Sequence, residues 1–203
     1  RHPLVPKQGK LVEIMTRNRN TDYGRRYGFA EVRSLDDYRS SVPAVGYDDI
    51  REDVERMTRG ERNVLIAEDP LMFAQTSGTT GRAKFIPVSP TCQGRDQADQ
   101  MRTWLYHAKR AHPGMFKGRV VSLVSPAVEG RTPAGIPYGS TSGMIYRDMH
   151  PLVRRTYAVP YEVFEIKEYE AKYYAVMPLG LATDVTFLAN ANPSSVLQMV
   201  QAV

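Results

Sequence analysis

The sequence predicts an α/β fold, and three observations carry that prediction. Short β-prone runs alternate with helical ones along the chain. At 203 residues, with 42% hydrophobic and 24% charged residues, the composition is that of a globular chain long enough for a sizeable core. A hydroxyl- and glycine-rich stretch, Thr76-Ser77-Gly78-Thr79-Thr80-Gly81-Arg82-Ala83-Lys84, stands between two β-prone runs.

Taken in order, Leu11, Ile14 and Met15 recur at helical spacing and predict a first helix, running out near Asn20-Thr21-Asp22-Tyr23-Gly24. Ser34 with Asp37 reads as an N-cap and its acid, so a short helix follows to about Ser41, where Pro43 ends it. Ile50, Val54 and Met57 share one face of a helix over residues 48–59, and Gly60 suits its C′ stop. Residues 64–67, 71–75 and 85–88 read as short strands. Ser89 or Thr91 caps a long helix to about Ala111, with Met101, Trp104, Leu105 and Ala108 expected in the core. His112-Pro113-Gly114 stops it. Residues 119–124, with Val120, Val121, Leu123 and Val124, read as a buried strand, and residues 125–143 as a Gly/Pro/Ser-rich loop. Residues 160–164 read as extended or turn-like. Residues 166–181 read as a helix that Pro178 should kink or shorten. A strand over residues 185–188 follows, and Asn192-Pro193-Ser194 opens the last helix.

Few tasks other than holding phosphates require so many hydroxyls and glycines beside a lysine. Glycine turns the backbone through positive φ and admits a ligand closely. Successive amides form an anion-binding nest. Thr76, Ser77, Thr79 and Thr80 add hydroxyl donors, and Lys84 adds a compact positive charge. The stretch is not a Walker A loop, in which Gly-Lys-Ser/Thr opens a helix. Here Arg82 and Ala83 separate Gly81 from Lys84, and a strand-like run follows. The plainer alternative is a Ser/Thr/Gly-rich hairpin turn, although hairpin connections usually run to about two to five residues.

Composition excludes several other classes. No apolar run approaches the length of a membrane span. One cysteine, Cys92, excludes an intramolecular disulfide and a cysteine-built zinc site. No metal site is expected from His107, His112 or His150, because no carboxylate or cysteine recurs at ligand spacing around them. The net charge of +5 is spread over scattered arginines without a dense basic tract, so nucleic acid is not an expected partner. The expected compartment is the cytoplasm. The chain begins without Met and closes on an apolar helical pattern, Val196-Leu197-Gln198-Met199-Val200, so it is expected to be part of a larger protein.

With these residues in view, the chain resembles the adenylate-forming superfamily, and within it the auxin-responsive acyl-acid amido synthetases. The superfamily's phosphate loop, [ST]-[ST]-G-[ST]-[ST]-G-x-x-K, is matched from Thr76 to Lys84. The narrower likeness rests on Asn20-Thr21-Asp22-Tyr23-Gly24 with Gly28-Phe29, and on Val42-Pro43 with Tyr47-Asp48-Asp49. Gly60-Glu61-Arg62-Asn63-Val64-Leu65, Lys84-Phe85-Ile86-Pro87-Val88, Ala171-Lys172-Tyr173-Tyr174 and Asn192-Pro193-Ser194 extend it.

The resemblance implies part of the N-terminal lobe of an acyl-CoA synthetase/luciferase-like fold, with a helical segment over residues 10–60 and an α/β portion over residues 64–203. It implies ATP with Mg2+, a carboxylic acid that attacks the α-phosphorus, and an amino-acid amine that takes the acyl group. Thr76, Ser77, Gly78, Thr79, Thr80, Gly81 and Lys84 would hold the ATP phosphates. The groups gripping adenine and ribose lie, by the same resemblance, in sequence beyond this chain, so these residues alone are not expected to complete the reaction. Two alternatives stay open: a non-catalytic adenylate-binding module, and an acyl-activating enzyme that forms a thioester.

Glycines 78 and 81 supply mobility as well as fit, so the loop is expected to be poorly ordered without nucleotide. Tyr138, Gly139, Ser140 and Ser142, in a second hydroxyl- and glycine-rich stretch, are candidates for a wall of the acyl-acid pocket, with a surface loop as the alternative. A partial α/β lobe should leave a sheet edge or apolar face open, and a homodimer through that surface is expected.

Overall fold

The computed structural model describes residues 4–76, 83–190 and 193–201. Its helices are α1 (Leu4–Asn18), α2 (Asp22–Arg26), α3 (Leu35–Ser41), α4 (Tyr47–Thr58), α5 (Gln97–Ala111), α6 (Thr141–Arg147), α7 (Pro151–Arg154), α8 (Tyr169–Leu181) and α9 (Pro193–Gln201). Its strands are β1 (Met72–Gln75), β2 (Phe85–Val88), β3 (Arg119–Ser122), β4 (Gly130–Arg131), β5 (Pro137–Gly139) and β6 (Val185–Ala189). The α/β class read from the sequence is the class observed. The chain divides into two compact units: Arg1–Gln93 with Arg131–Pro137, and Gly94–Gly130 with Tyr138–Val203.

In the first unit, Met15, Phe29, Val32 and Val42 form a buried cluster, with Leu11, Tyr23, Tyr27 and Tyr38 packed against it. The joint between α1 and α2 explains the Asn-Thr-x-Tyr-Gly run. The Thr21 hydroxyl donates to the Asn18 carbonyl at 2.8 Å and accepts from the Gly24 amide at 2.9 Å. A Cβ on Gly24 would collide with the Asn18 carbonyl, so only glycine closes this turn. Ser34 and Asp37 form the predicted capping box of α3. Gly60, at φ 95°, ends α4 as expected.

Residues 64–67 do not form the expected strand. Asn63 adopts φ 56°, and the backbone there is bonded to helices instead. Asp22 and Tyr23 amides donate to the Asn63 and Val64 carbonyls at 2.8 and 3.0 Å, and the Ala67 amide donates to Asn18 Oδ1 at 2.9 Å. Val64 is still fully buried, which is why its run reads as β-prone.

An ion network ties α2 to α4. Asp53 is buried and accepts both arms of Arg26, at 2.9 and 3.2 Å. Arg56 donates to Asp53, Asp22 and Glu61 at 3.4, 2.6 and 2.8 Å. The Arg56 hydrogen bond is the largest influence holding the Asp22 carboxyl below its ordinary value.

In the second unit, β3 and β6 pair in parallel, with Val120 opposite Phe187 and Val121 opposite Leu188. Tyr146, Tyr161, Phe164, Val159, Met144 and Val176 form its buried interior. The Tyr146 hydroxyl donates to the Val159 carbonyl, and burial raises its pKa. The Tyr161 hydroxyl accepts from the Ala127 amide at 2.8 Å.

Residues 125–143 are more ordered than the predicted loop. They contain the paired strands β4 and β5 and the start of α6. Side chains at Gly139 or Gly143 would strike the backbone of residues 125–129, and this close approach gives the glycines a packing role that composition alone reads as a loop signal.

The face of α5 is also less buried than expected: Met101 and Trp104 are 47% and 52% exposed. Trp104 stacks on Phe187 at 5.9 Å, but β6 is itself open to solvent, so burial stays shallow. Helix α8 runs through Pro178 to Leu181, because a proline in the last turn forfeits only one helical donor. Of the tyrosine pair, Tyr173 is half-buried and Tyr174 exposed. Lys172, just before the pair, is buried. Burial lowers its pKa, Glu129 opposes that shift, and its Nζ lies 5.1 Å from the Tyr169 ring centroid.

Candidate functional site

Strands β1 and β2 pair antiparallel, with Met72 opposite Val88 and Gln75 opposite Phe85. Phe73 is fully buried and meets Phe85 edge-on at 6.0 Å. Beyond the strands the Thr76 amide donates to the Lys84 carbonyl at 3.1 Å. The hydroxyl-rich segment is therefore the connection of a hairpin, so the plainer topology holds, with a connection longer than hairpins usually use. Thr76 is half-buried at its entry and Lys84 exposed at its exit. Ser77, Gly78, Thr79, Thr80 and Gly81, and the expectation about their order, lie outside the described residues. Gln75 Oε1, one residue before this segment, is buried and has no hydrogen-bond partner among the described residues.

The Lys84 side chain meets a residue far away in sequence. Its Nζ lies 5.4 Å from the centroid of the Tyr47 ring, at the N-terminus of α4. The Arg51 guanidinium, one turn further along α4, lies 5.0 Å from the same centroid. The Tyr47 hydroxyl accepts from the Phe85 amide at 2.9 Å and donates to the Phe85 carbonyl at 3.2 Å. Asp48 binds Arg51 at 2.5 Å; Arg51 is the chief cause of its lowered pKa, with a smaller contribution from Lys84.

The helix that follows β2 is capped from within the chain. Ser89 Oγ accepts from the Cys92 amide at 3.2 Å, which selects Ser89 over Thr91 as the cap. Glu68 accepts from the Thr91 amide at 3.3 Å and from the Thr91 hydroxyl. Burial opposes ionisation of Glu68, but the bonds from Thr91 and Ser89 outweigh it and hold its pKa low. The helix continues as a π-helical turn, Cys92–Asp96, into α5. This is unlike a P-loop, where a helix N-terminus takes the phosphate.

The second candidate stretch lies in the second unit. Ser140 is the N-cap of α6: its Oγ accepts from the Gly143 amide at 3.3 Å and shares a 2.8 Å bond with Ser142 Oγ. The Tyr138 ring lies against Gly130, and Gly139 is buried. His150 caps α7 through Nδ1, which accepts from the Leu152 amide at 3.3 Å. Sequence reading missed the partnerships of Tyr47 and Glu68, although Tyr47 belongs to a run that carried the family resemblance.

The α/β arrangement is that of the solved GH3.15 acyl acid amido synthetase, with a TM-score of 0.78 at 18% identity, covering 98% of this chain and 35% of that one. Residues 4–203 match the GH3 family N-terminal domain, and the chain belongs to that family. Among its relatives is indole-3-acetic acid-amido synthetase GH3.2 of Arabidopsis thaliana, 28% identical over 167 residues, covering 81% of this chain and 30% of the relative. Another is probable indole-3-acetic acid-amido synthetase GH3.4 of Oryza sativa subsp. japonica, 29% identical over 184 residues, covering 84% and 28% respectively. These relatives are amide-forming ligases by name, and the chain spans about a third of their length or less. No helix among the described residues is long and apolar enough to cross a membrane.

Proposed function

We propose that this chain is the phosphate-binding part of an ATP-dependent ligase that adenylates a carboxylic acid and passes the acyl group to an amino-acid amine. The observation that carries the reading is the hairpin connection from Thr76 to Lys84, a hydroxyl- and glycine-rich run closed by a lysine. Thr76, Ser77, Gly78, Thr79, Thr80, Gly81 and Lys84 hold the phosphates in this reading. The departing pyrophosphate gathers negative charge, and fixed amides, hydroxyls and a lysine stabilise it as it forms. Tyr138, Gly139, Ser140 and Ser142 are proposed for the acyl-acid pocket, on their hydroxyl and aromatic chemistry.

The described groups around Lys84 do not suit a cation of their own. Lys84 and Arg51 bring two positive charges to one ring, and Asp48 is bound to Arg51. Magnesium is accordingly read as arriving on the ATP phosphates. The same reading takes the protein to be cytoplasmic, and the single cysteine supports it. Self-association is proposed through β6, whose outer edge is unpaired among the described residues.

The test is exchange of labelled pyrophosphate into ATP by the full-length gene product, offered a panel of carboxylic acids. Acid-dependent exchange is expected, followed by amide formation when amino acids are added. Exchange that ignores every acid sinks the ligase reading, and acyl transfer to coenzyme A instead of amines converts it to the thioester-forming alternative.

A further inference from the structure

Strand β2 pairs with β1 along one side, where the Thr76 amide reaches the Lys84 carbonyl. At the next residue the backbone amide and carbonyl of Phe85 are both taken by one side-chain atom, the Tyr47 hydroxyl. A single phenol thus does at Phe85 what a neighbouring strand would do, and fixes the backbone immediately after Lys84. The same ring then offers its π-face to the Lys84 ammonium at 5.4 Å and to Arg51 at 5.0 Å. A cation over an aromatic face is attracted by the ring quadrupole, and a lysine held there has fewer conformers to lose when an anion arrives. Two cations on one ring also compete for it. Asp48, bound to Arg51, offsets that competition by drawing one of the two charges to itself.

We infer that Tyr47 is a positioning residue for Lys84: its hydroxyl sets the backbone after the lysine, and its ring holds the ammonium where the phosphates bind. The inference rests on the phosphate-binding reading of Lys84. Its two parts separate chemically. Tyr47→Phe removes the clamp on Phe85 and keeps the ring. Phenylalanines of increasing fluorination at position 47 keep the shape and progressively weaken the π-face. Tyr47→Leu removes both.

The experiment measures acid-dependent pyrophosphate–ATP exchange in the full-length protein, for these variants alone and combined with Lys84→Ala. Lys84→Ala should lower kcat/KM for ATP; unchanged exchange overturns the phosphate role of Lys84, and the inference with it. Where Lys84→Ala does lower exchange, each loss at Tyr47 is read against it. Stepwise fluorination should lower kcat/KM for ATP in step with the weakening π-face, by about two- to fivefold in total, leaving KM for the carboxylic acid unmoved. In the Lys84→Ala background the ring substitutions should have no further effect on exchange. Equal losses with and without Lys84, or no trend with fluorination, show that Tyr47 only supports the fold and overturn the inference. Thermal melts of the same set identify any variant that fails to fold, and the isosteric fluorinated series then carries the decision.

Discussion

The two principal strand pairs are finished to different degrees. Strands β1 and β2 bury Met72, Phe73 and Val88 almost completely and leave Ile86 49% exposed, and a phenol from α4 caps the far side of β2 at Phe85. Strands β3 and β6 bury Val120 and Val121 on one partner but leave Val185 and Leu188 of the other 36% and 43% exposed. Parallel strands are ordinarily covered on both faces, whereas antiparallel pairs tolerate water on one side. The hairpin beside the candidate phosphate site therefore covers its apolar residues at Met72, Phe73 and Val88, whereas no residue of β6 is buried.

The largest test of that contrast is Phe73→Ala, which empties the best-buried position of the hairpin and the ring contact with Phe85. A loss of about 3–5 kcal/mol is expected by denaturant titration, from transfer plus cavity. A loss below about 1 kcal/mol would mean that the hairpin is not the firm element it looks. Next is Gly118→Ala, at the entrance to β3. Its new methyl would strike the Asp184 carbonyl, which accepts the Arg119 amide at 2.6 Å, and would lie 2.9 Å from Thr186 Cγ2. Forced displacement of this kind costs about 1–3 kcal/mol. The smallest effect belongs to Leu188→Ser, within about 0.5 kcal/mol for this chain alone, as for other exposed positions. Light scattering on the same pair of proteins sharpens the comparison. If β6 mediates self-association, the unmodified chain is a dimer that the substitution weakens, and a monomer at high concentration removes that proposal.

What the sequence made legible follows from where the determining contacts lie. The caps at Ser34 and Gly60 and the strands flanking Thr76 and Lys84 rest on neighbours a few residues away, and local pattern suffices for these. Residues 64–67 carry the same β-prone residues, but their partners are Asn18, Asp22 and Tyr23, more than forty residues earlier, so the expected strand becomes a buried coil. Gly139 and Gly143 read as loop punctuation because nothing local reveals that the backbone near residue 127 passes against them. The helical spacing of Met101 and Trp104 was correctly periodic, but periodicity does not report how much cover the opposing strand provides. The candidate site shows the same division: composition singles out Thr76 and Lys84 as candidates, while Tyr47 reaches Phe85 across 38 positions and belongs to a different element.

Glu68 gives the helix after β2 an anion of its own. In a P-loop the corresponding helix end stays electrostatically incomplete until nucleotide arrives, so binding and helix stability rise together. Here the carboxylate of Glu68 accepts the Thr91 amide and hydroxyl, so the start of this helix is satisfied from within the chain. On the ligase reading proposed above, nucleotide would come and go without unsettling the element that the hairpin leads into. On the same reading, phosphate recognition falls to the run from Thr76 to Lys84, which is separate in sequence from the helix that follows.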